Sequence, residues 1–521
     1  MTTKEQIEYK FGANILENLT TGMYQDSKII YREYIQNSCD QIDKAVVSGL
    51  LKEGEGEINI WFEHGERTIT IQDNATGIPA KEFRKKLGDI ADSDKIAGED
   101  KGFRGIGRLC GLAYCKELVF TSKAKGEEVI SIMRCDAVKM RLMIDENIRN
   151  KKHTAVAVLN EINSFETQKT KNLEEHYFKV DLIQINEENT DLLDEKTIRD
   201  YLSFVAPVPY QAHFNYRNKI KRHADKLQFK IDEYTIKLDG EQIFKRYSKS
   251  LKRADGKDHD DEVHDVIFKE FNDKKGNLIA WSWIGLTNLK GVIPKSNQMR
   301  GLRLRKENIQ IGDDDVFQKL FKEDRGNHYF IGEVFAVSKD LIPNSQRDYF
   351  NENPMRAHFE KELKRFFEEL HKVYHVGSAI NSATKKIEAA EKLKSDFKEM
   401  VEENRFISRE HRDEELKRIE EAEKEAEKAE RIITSKMEKA TPLVSKVIDR
   451  IVNSAVAPDT QIPVSSDLLK PIPKITRRAD KLSSYNKRER DLISKIFDII
   501  RTSTDEATAE IIMCNIEEGL S

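Results

Sequence analysis

Apolar and polar residues alternate in two neighbouring stretches near the N-terminus. Ile58, Ile60 and Phe62 mark the first, Ile69 and Ile71 the second, and EHGE lies between them. Period-two alternation interrupted by a polar, glycine-containing break predicts a β-hairpin. Upstream, Ile29, Ile30, Ile35, Ile42 and Val46 recur at helical spacing and predict an amphipathic helix packed on a core. Further strands are expected near 227–239, 263–270, 279–288 and 302–311. The pattern predicts an α/β chain. Residues 1–165 form a first α/β domain, in which KEQIEYKFGANILENL supplies a leading helix. Residues 166–375 form a second, opening near FKVDLIQI at 178–185.

The pattern changes in kind after residue 375. Residues 376–441 are dense in Glu and Lys, and Ile419, Ala422, Ala426, Ala429, Ile433, Met437 and Ala440 step by threes and fours. Such a narrow seam predicts a helical hairpin or coiled coil; a free-standing charged helix held by Glu–Lys pairs is the alternative. Residues 442–521 comprise a Pro-rich linker (454–475) and two terminal helices. Leu492, Ile493, Ile496, Phe497 and Ile500 are too apolar for a lone tail helix and suggest a docking or dimer surface. The basic residues Arg477, Arg478, Lys481, Lys487, Arg488 and Arg490 precede them, diluted by acidic neighbours.

Composition narrows the function. At 521 residues the chain is long enough for several domains. A formal net charge of −4 gives no overall bias toward nucleic acid. Five cysteines, at 39, 110, 115, 135 and 514, do not have zinc spacing and imply a reducing, cytoplasmic location. MTTKEQIEYKFG is no signal peptide, and no apolar run reaches membrane length. His259 and His264, in the polar insertion KSLKRADGKDHDDEVHD, suit a solvated loop better than a metal site.

Three segments carry the candidate chemistry. REYIQNSCD at 32–40 sets Glu33, Asn37 and Asp40 at i, i+4 and i+7, on one helix face. A carboxylate and a carboxamide there suit a water-activating base and a Mg2+ ligand; a polar stripe facing solvent is the plainer reading. Asp73 ends a strand and runs into NATG, so a carboxylate that can accept from an exocyclic amine sits beside a tight turn at Gly77. An Asx-turn is the alternative. In DKGFRGIGRLCGLAYC at 100–115, Gly102, Gly105 and Gly107 precede an apolar run that reads as helical. Backbone N–H groups there would face an anion.

Together and in this order, the three segments resemble the Bergerat-fold ATPases, the class of gyrase, heat-shock chaperones, histidine kinases and MutL. E-x-x-x-N-x-x-D is matched by Glu33, Asn37 and Asp40. D-x-G-x-G is matched by DNATG, with Ala75 in place of the first glycine, and G-x-x-G-x-G by Gly102, Gly105 and Gly107. The resemblance implies a Bergerat α/β sandwich, then a transducer-type domain, a helical hairpin or coiled coil, and C-terminal helices. It implies ATP and Mg2+, with Glu33 as general base, Asn37 on Mg2+, Asp40 supporting the nucleotide and Asp73 reading adenine. Thr154, in KHTAVAV, would sit on a late strand behind Asp73. Gly102, Arg104, Gly105, Ile106 and Gly107 would form the lid, with Arg104 facing either phosphate or solvent. GEVFAVSKDLIPNSQRDYF at 332–350 resembles the transducer of HtpG-type chaperones and MORC ATPases. Arg347 would reach the terminal phosphate from there, with Arg305 or Lys306, on a strand with a basic edge, as weaker candidates.

The expectation is an ATP-hydrolysing homodimeric clamp whose N-terminal domains close on ATP. A MORC- or MutL-like action on nucleic acid, with a possible partner nuclease in a bacterial defence module, is the favoured form, because a helical arm follows the second domain; a chaperone-like ATPase with a protein client, or a non-hydrolysing ATP switch, is the alternative. No phosphoacceptor helix precedes the first motif, against a histidine kinase. No acidic cleavage domain follows, against a topoisomerase.

Overall fold

The structure, a computed structural model, describes residues 11–22, 26–90, 105, 107–148, 152–251, 261–403, 405–438, 485–503 and 506–520, with isolated positions between 440 and 448. The chain divides into two compact units, 1–287 with 292–371, and 288–291 with 372–521.

The first unit opens on a short helix, α1 (Asn14–Glu17), and the long α2 (Ile29–Val47). The hairpin follows as β1 (Glu57–Glu63) and β2 (Thr68–Asp73), then α3 (Ala80–Gly88), a 3-10 segment at Gly107–Ala113, β3 (Cys115–Lys123) and β4 (Val129–Asp136). After α4 (Ala137–Ile148) and α5 (Ala155–Ile162) come β5 (Asn163–Lys169), β6 (Tyr177–Ile185), α6 (Glu195–Val205), α7 (Arg217–Lys226), β7 (Thr235–Leu238) and β8 (Glu241–Gln242). Eight strands form one mixed sheet in the order β5-β4-β3-β6-β2-β1-β7-β8. Ile58, Ile60, Ile69 and Ile71 bury one face of the hairpin against Ile30, Tyr34, Ile35 and Ile42 of α2. The alternation in the sequence is therefore the core-facing side of the hairpin, and Ile60 opposes Ile71 as a two-residue period requires.

Two expectations need correction. β6 does not open a second domain: it lies in the centre of the first sheet, between β3 and β2, with Phe178 opposite Asp73 and Leu182 opposite Ile69. Its buried Val180 and Leu182 fill the core that β2 and β3 would otherwise leave open. Thr154 is not on a strand. It is the N-cap of α5, its hydroxyl accepting from the Ala157 N–H at 3.2 Å. The Ala-Val alternation that reads as a strand is a short helix, with Val158 and Ile162 inward and Val156 outward, started by that cap.

The same unit holds a short pair, β9 (Ser250–Leu251) with β10 (Asp261–Glu262), and a second mixed sheet. The sheet contains β11 (Asp265–Asn272), β12 (Leu278–Leu286), β13 (Gly301–Lys306), β14 (Ile309–Ile311) and β15 (Ile331–Ala336), ordered β11-β12-β15-β13-β14. The stretch read as one basic-edged strand at 302–311 is a hairpin, turned by Glu307 and Asn308 at φ 52° and 59°. Its cations point inward. Arg305 and Lys245 are fully buried around Glu333, with Arg305 Nε at 2.7 Å and Lys245 Nζ at 3.1 Å from the carboxylate, which also accepts from Trp283 Nε1 at 3.2 Å. Lys306 donates to the Ser338 carbonyl at 2.8 Å. Burial alone would raise the Glu333 carboxyl, but Arg305 and Lys245 hold it at about 2.

The second unit carries most of the 49-residue helix α8 (Pro354–Glu402) and α9 (Arg409–Glu438). Within this unit the two are paired. Ala383, Ala390 and Phe397 are buried at seven-residue intervals on α8, with Ala429 on α9. Lys386–Glu425 (2.8 Å) and Lys394–Glu423 (2.7 Å) flank them, and Phe406 in the connection packs on Phe397. Of the remaining seam, Ile419, Ala422, Ala426 and Ile433 are half-buried and Met437 is exposed. At the C-terminus α10 (Lys487–Ser503) and α11 (Glu506–Leu520) share a small core of Ile493, Phe497, Ala509 and Met513. The Pro-rich linker and His259 lie outside the described residues. Among the described residues, no helix is long and apolar enough to cross a membrane.

Glu333→Ala leaves two buried cations uncompensated and is expected to destabilise the fold by about 3–5 kcal/mol. Urea unfolding of variant and parent checks this, and an unchanged midpoint refutes the inward charge cluster. The depressed carboxyl adds a pH dependence: its contribution is present above the ordinary carboxylate value near 4 and is lost as pH falls through about 2.

Candidate functional site

One face of α2 sets the site. Glu33 and Asp40 are buried and Asn37 is half-buried, each one turn from the next. Tyr34 anchors the helix from below: its hydroxyl donates to the Arg108 carbonyl at 3.0 Å and accepts from the Gly111 N–H at 3.2 Å. The glycine-rich segment is thereby tied to α2. The apolar run after it is a 3-10 helix, and Gly111 backs closely onto Tyr34; a Cβ there would meet the hydroxyl at 2.5 Å.

Glu33 lies between a glycine and two arginines. A Cβ on residue 107 would sit 2.2 Å from Glu33 Oε2, so glycine lets the segment pass without displacing the carboxylate. On the other side Arg347 Nε stands 3.1 Å and Arg32 Nε 4.0 Å from Glu33 Oε1. Arg32 also donates to the Gln346 carbonyl at 3.3 Å, which fastens α2 to the loop that carries Arg347. Among the described residues no N–H is aligned on Glu33 Oε1, which is buried. The arginine contact is therefore Coulombic, and lone pairs remain for a water. Arg347 sits at φ 55°, a costly conformation for a side-chain-bearing residue and one found at functional positions.

Asp73 ends β2 at 1% exposure. Its Oδ1 accepts from the Ala75 N–H at 3.0 Å, while its Oδ2 is buried with no well-aligned hydrogen bond among the described residues. Burial pushes the carboxyl up to about 6, against the Ser38 hydroxyl and the Ala75 and Phe178 N–H groups, which lower it. A buried carboxylate oxygen without a donor is expensive unless a ligand provides one. The exocyclic amine of adenine meets that requirement. Gly77, at φ 63° with a would-be Cβ 2.1 Å from the Lys123 carbonyl, admits no other residue. Ala75 is tolerated because its φ is not positive; its carbonyl meets His176 Nδ1 at 2.8 Å.

The structure thus unites Glu33, Asn37, Asp40, Asp73, Gly77, Gly107 and Arg347 in one unit, with Gly105 at φ 69° leading into the 3-10 segment. Gly102, Arg104 and Ile106 lie outside the described residues. Thr154 caps α5, and the residue opposite Asp73 on the adjoining strand is Phe178. Arg305, fully buried on Glu333, is not available to a phosphate. Three contributors escaped the sequence reading. Ser38 and Arg32 stand inside the quoted helix motif, where adjacency to Glu33 and helical phase could have found them. His176 lies 101 residues from Ala75 and leaves no local signal.

Comparisons with known proteins agree with this geometry. Residues 27–170 match the family described as histidine kinase-, DNA gyrase B- and HSP90-like ATPase. The chain is 30% identical over 146 residues to the chaperone protein HtpG of Helicobacter hepaticus, covering 25% of this chain and 24% of that one. The corresponding chaperone of Coxiella burnetii is 36% identical over 85 residues, covering 15% and 13%. That of Halalkalibacterium halodurans is 28% identical over 141, covering 24% and 23%. The likeness is confined to about a quarter or less of these relatives' length.

The Asp73 carboxyl supplies a pH test. In the free protein its contribution favours folding below about pH 4 and is lost as pH rises through about 6. An amine donor prefers the charged form, so ATP affinity should fall as pH drops below about 6. Asp73→Asn should bind ATP at least about tenfold more weakly and lose that pH dependence; calorimetric titration from pH 5 to 8 reads both, and a flat wild-type profile contradicts the contact.

Proposed function

With residues 27–170 forming a histidine kinase-, DNA gyrase B- and HSP90-like ATPase domain of the Bergerat fold, distantly related to HtpG chaperones, we propose that the chain is an ATP-hydrolysing switch. The observation that carries this is the shared environment of Glu33 and Arg347, a base on the first sheet's helix and a cation on the second sheet's loop. Asp73 accepts the adenine amine through its open oxygen. Asn37 would hold Mg2+, which would supply charge neutralisation at the phosphates. Glu33 takes the proton of the attacking water. Arg347 exchanges its carboxylate partner for the terminal phosphate and returns to Glu33 after hydrolysis, so the state of the nucleotide is read as the position of the 344–349 loop.

The switch acts as a homodimeric clamp, with Leu492, Ile496 and Ile499, exposed on α10, as its constitutive contact. Its client is read as protein. The relatives named above are chaperones. Action on nucleic acid beside a partner nuclease is the competing form of the clamp. ATP-dependent retention on closed circular DNA separates the two: none is expected, and salt-resistant retention would move the client to nucleic acid.

Glu33→Gln should keep ATP and lose turnover by at least about a hundredfold. Phosphate release and nucleotide titration on the same preparation check this, and surviving turnover assigns the base elsewhere.

A further inference from the structure

The loop from Asp73 to Ala80 carries the candidate adenine contacts, and both of its ends are fastened. Asn74 ties the entry to β1: its Oδ1 accepts from the Glu57 N–H at 2.8 Å, and its Nδ2 donates to the Glu55 carbonyl at 2.9 Å. At the exit the Ser122 hydroxyl, on β3, accepts from the Ile78 N–H at 2.6 Å, and the Glu127 carboxylate accepts from the Ala80 N–H at 3.1 Å. Between them lies Ala75, fully buried. Its N–H is the donor on Asp73 Oδ1 at 3.0 Å, so the placement of this residue decides how the carboxylate is turned. Its carbonyl is taken out of water with it and needs a donor of its own.

His176 supplies that donor. β6 runs antiparallel to β2 with Phe178 opposite Asp73, so carrying the register two residues further sets His176 opposite Ala75. The ladder has ended there, since β2 stops at Asp73 and β6 starts at Tyr177. A side chain makes the link instead: His176 Nδ1 lies 2.8 Å from the Ala75 carbonyl. A carbonyl only accepts, so Nδ1 carries a proton, and the bond exists whether the ring is neutral or charged. The strand position opposite Asp73 holds Phe178, which has no side-chain hydroxyl to offer. Asp73 is supported by Ser38 and by main-chain N–H groups, and one of those belongs to the residue that His176 holds.

We propose that His176 is a positioning residue for base recognition: by holding the Ala75 carbonyl it keeps the Ala75 N–H on Asp73 Oδ1, and so keeps Asp73 Oδ2 turned toward the exocyclic amine of adenine. It acts through Ala75 and does not itself touch the nucleotide. This role presupposes Asp73 as the adenine contact. It makes His176 matter to ligands that carry the amine, and not to the ribose or the phosphates. A half-buried histidine that only filled space would support every ligand of the site equally.

The experiment is calorimetric titration of the full chain, without magnesium, with ATP and with purine riboside triphosphate, which differs from ATP only in lacking the exocyclic amine. The wild type should prefer ATP at least about tenfold. His176→Ala should cut that preference by about threefold or more, through weaker ATP binding, with affinity for the amine-free ligand unchanged. His176→Asn, which sets an amide N–H where Nδ1 stands, should restore it. In an Asp73→Asn background His176→Ala should change the preference no further. Should His176→Ala fail to fold, His176→Phe keeps a ring, removes the donor and carries the same test. A preference kept in His176→Ala, an equal loss for both ligands, or no recovery in His176→Asn overturns the proposal. A wild type without any preference removes the adenine contact of Asp73 itself, and the role of His176 with it.

Discussion

A single Coulombic contact ties the two sheets of the first unit to the candidate chemistry: the Glu33 carboxylate against the Arg347 guanidinium, both groups more than nine-tenths buried. Taking either charge out of water is costly, and each is the other's compensation. The contact also depends on a rigid support. The Arg347 carbonyl accepts from the Gly312 N–H at 2.8 Å, and its own N–H donates to Asn344 at 3.2 Å, so the left-handed turn is pinned to the end of β14. Gly312 must be glycine there, since a Cβ would lie 2.7 Å from the Asp348 carbonyl. A cation held this way changes partner as a unit with its loop, which is what lets a local change of charge become a displacement of a larger element.

Three buried carboxylates in the same unit show how environment divides their roles. Glu333 is surrounded by Arg305 and Lys245 and is locked as a structural anion. Asp73 has only neutral donors and one empty oxygen, so burial dominates and its carboxyl rises. Glu33 has cations at its edge but no aligned donor. The first suits a core, the second a neutral donor on a ligand, the third an exchange of partners.

The parts that depend on local periodicity were legible in the sequence. The β1–β2 hairpin and α2 follow from the spacing of their isoleucines, and the helical phase of Glu33, Asn37 and Asp40 survives intact because one helix carries all three. What depends on distant pairing was not. β6 belongs beside β2, more than a hundred residues earlier in the chain, and nothing in FKVDLIQI names its neighbours. Arg305 and Lys306 read as a surface edge because their local run is charged, whereas the Glu333 carboxylate that buries Arg305 lies 28 residues away. AVAV after Thr154 satisfies both periods, and the capping hydroxyl decides for the helix. The open oxygen of Asp73, which argues most directly for a ligand, is a property of burial and has no signature in the chain.

The exchange of Arg347 between Glu33 and a terminal phosphate is tested most directly by the ratio of affinities for a non-hydrolysable ATP analogue and ADP. In the wild type the analogue should bind more tightly. Arg347→Met should bring the ratio close to one while leaving ADP affinity unchanged, and Glu33→Gln, which frees the arginine, should raise it. A ratio unaltered by Arg347→Met would contradict the account.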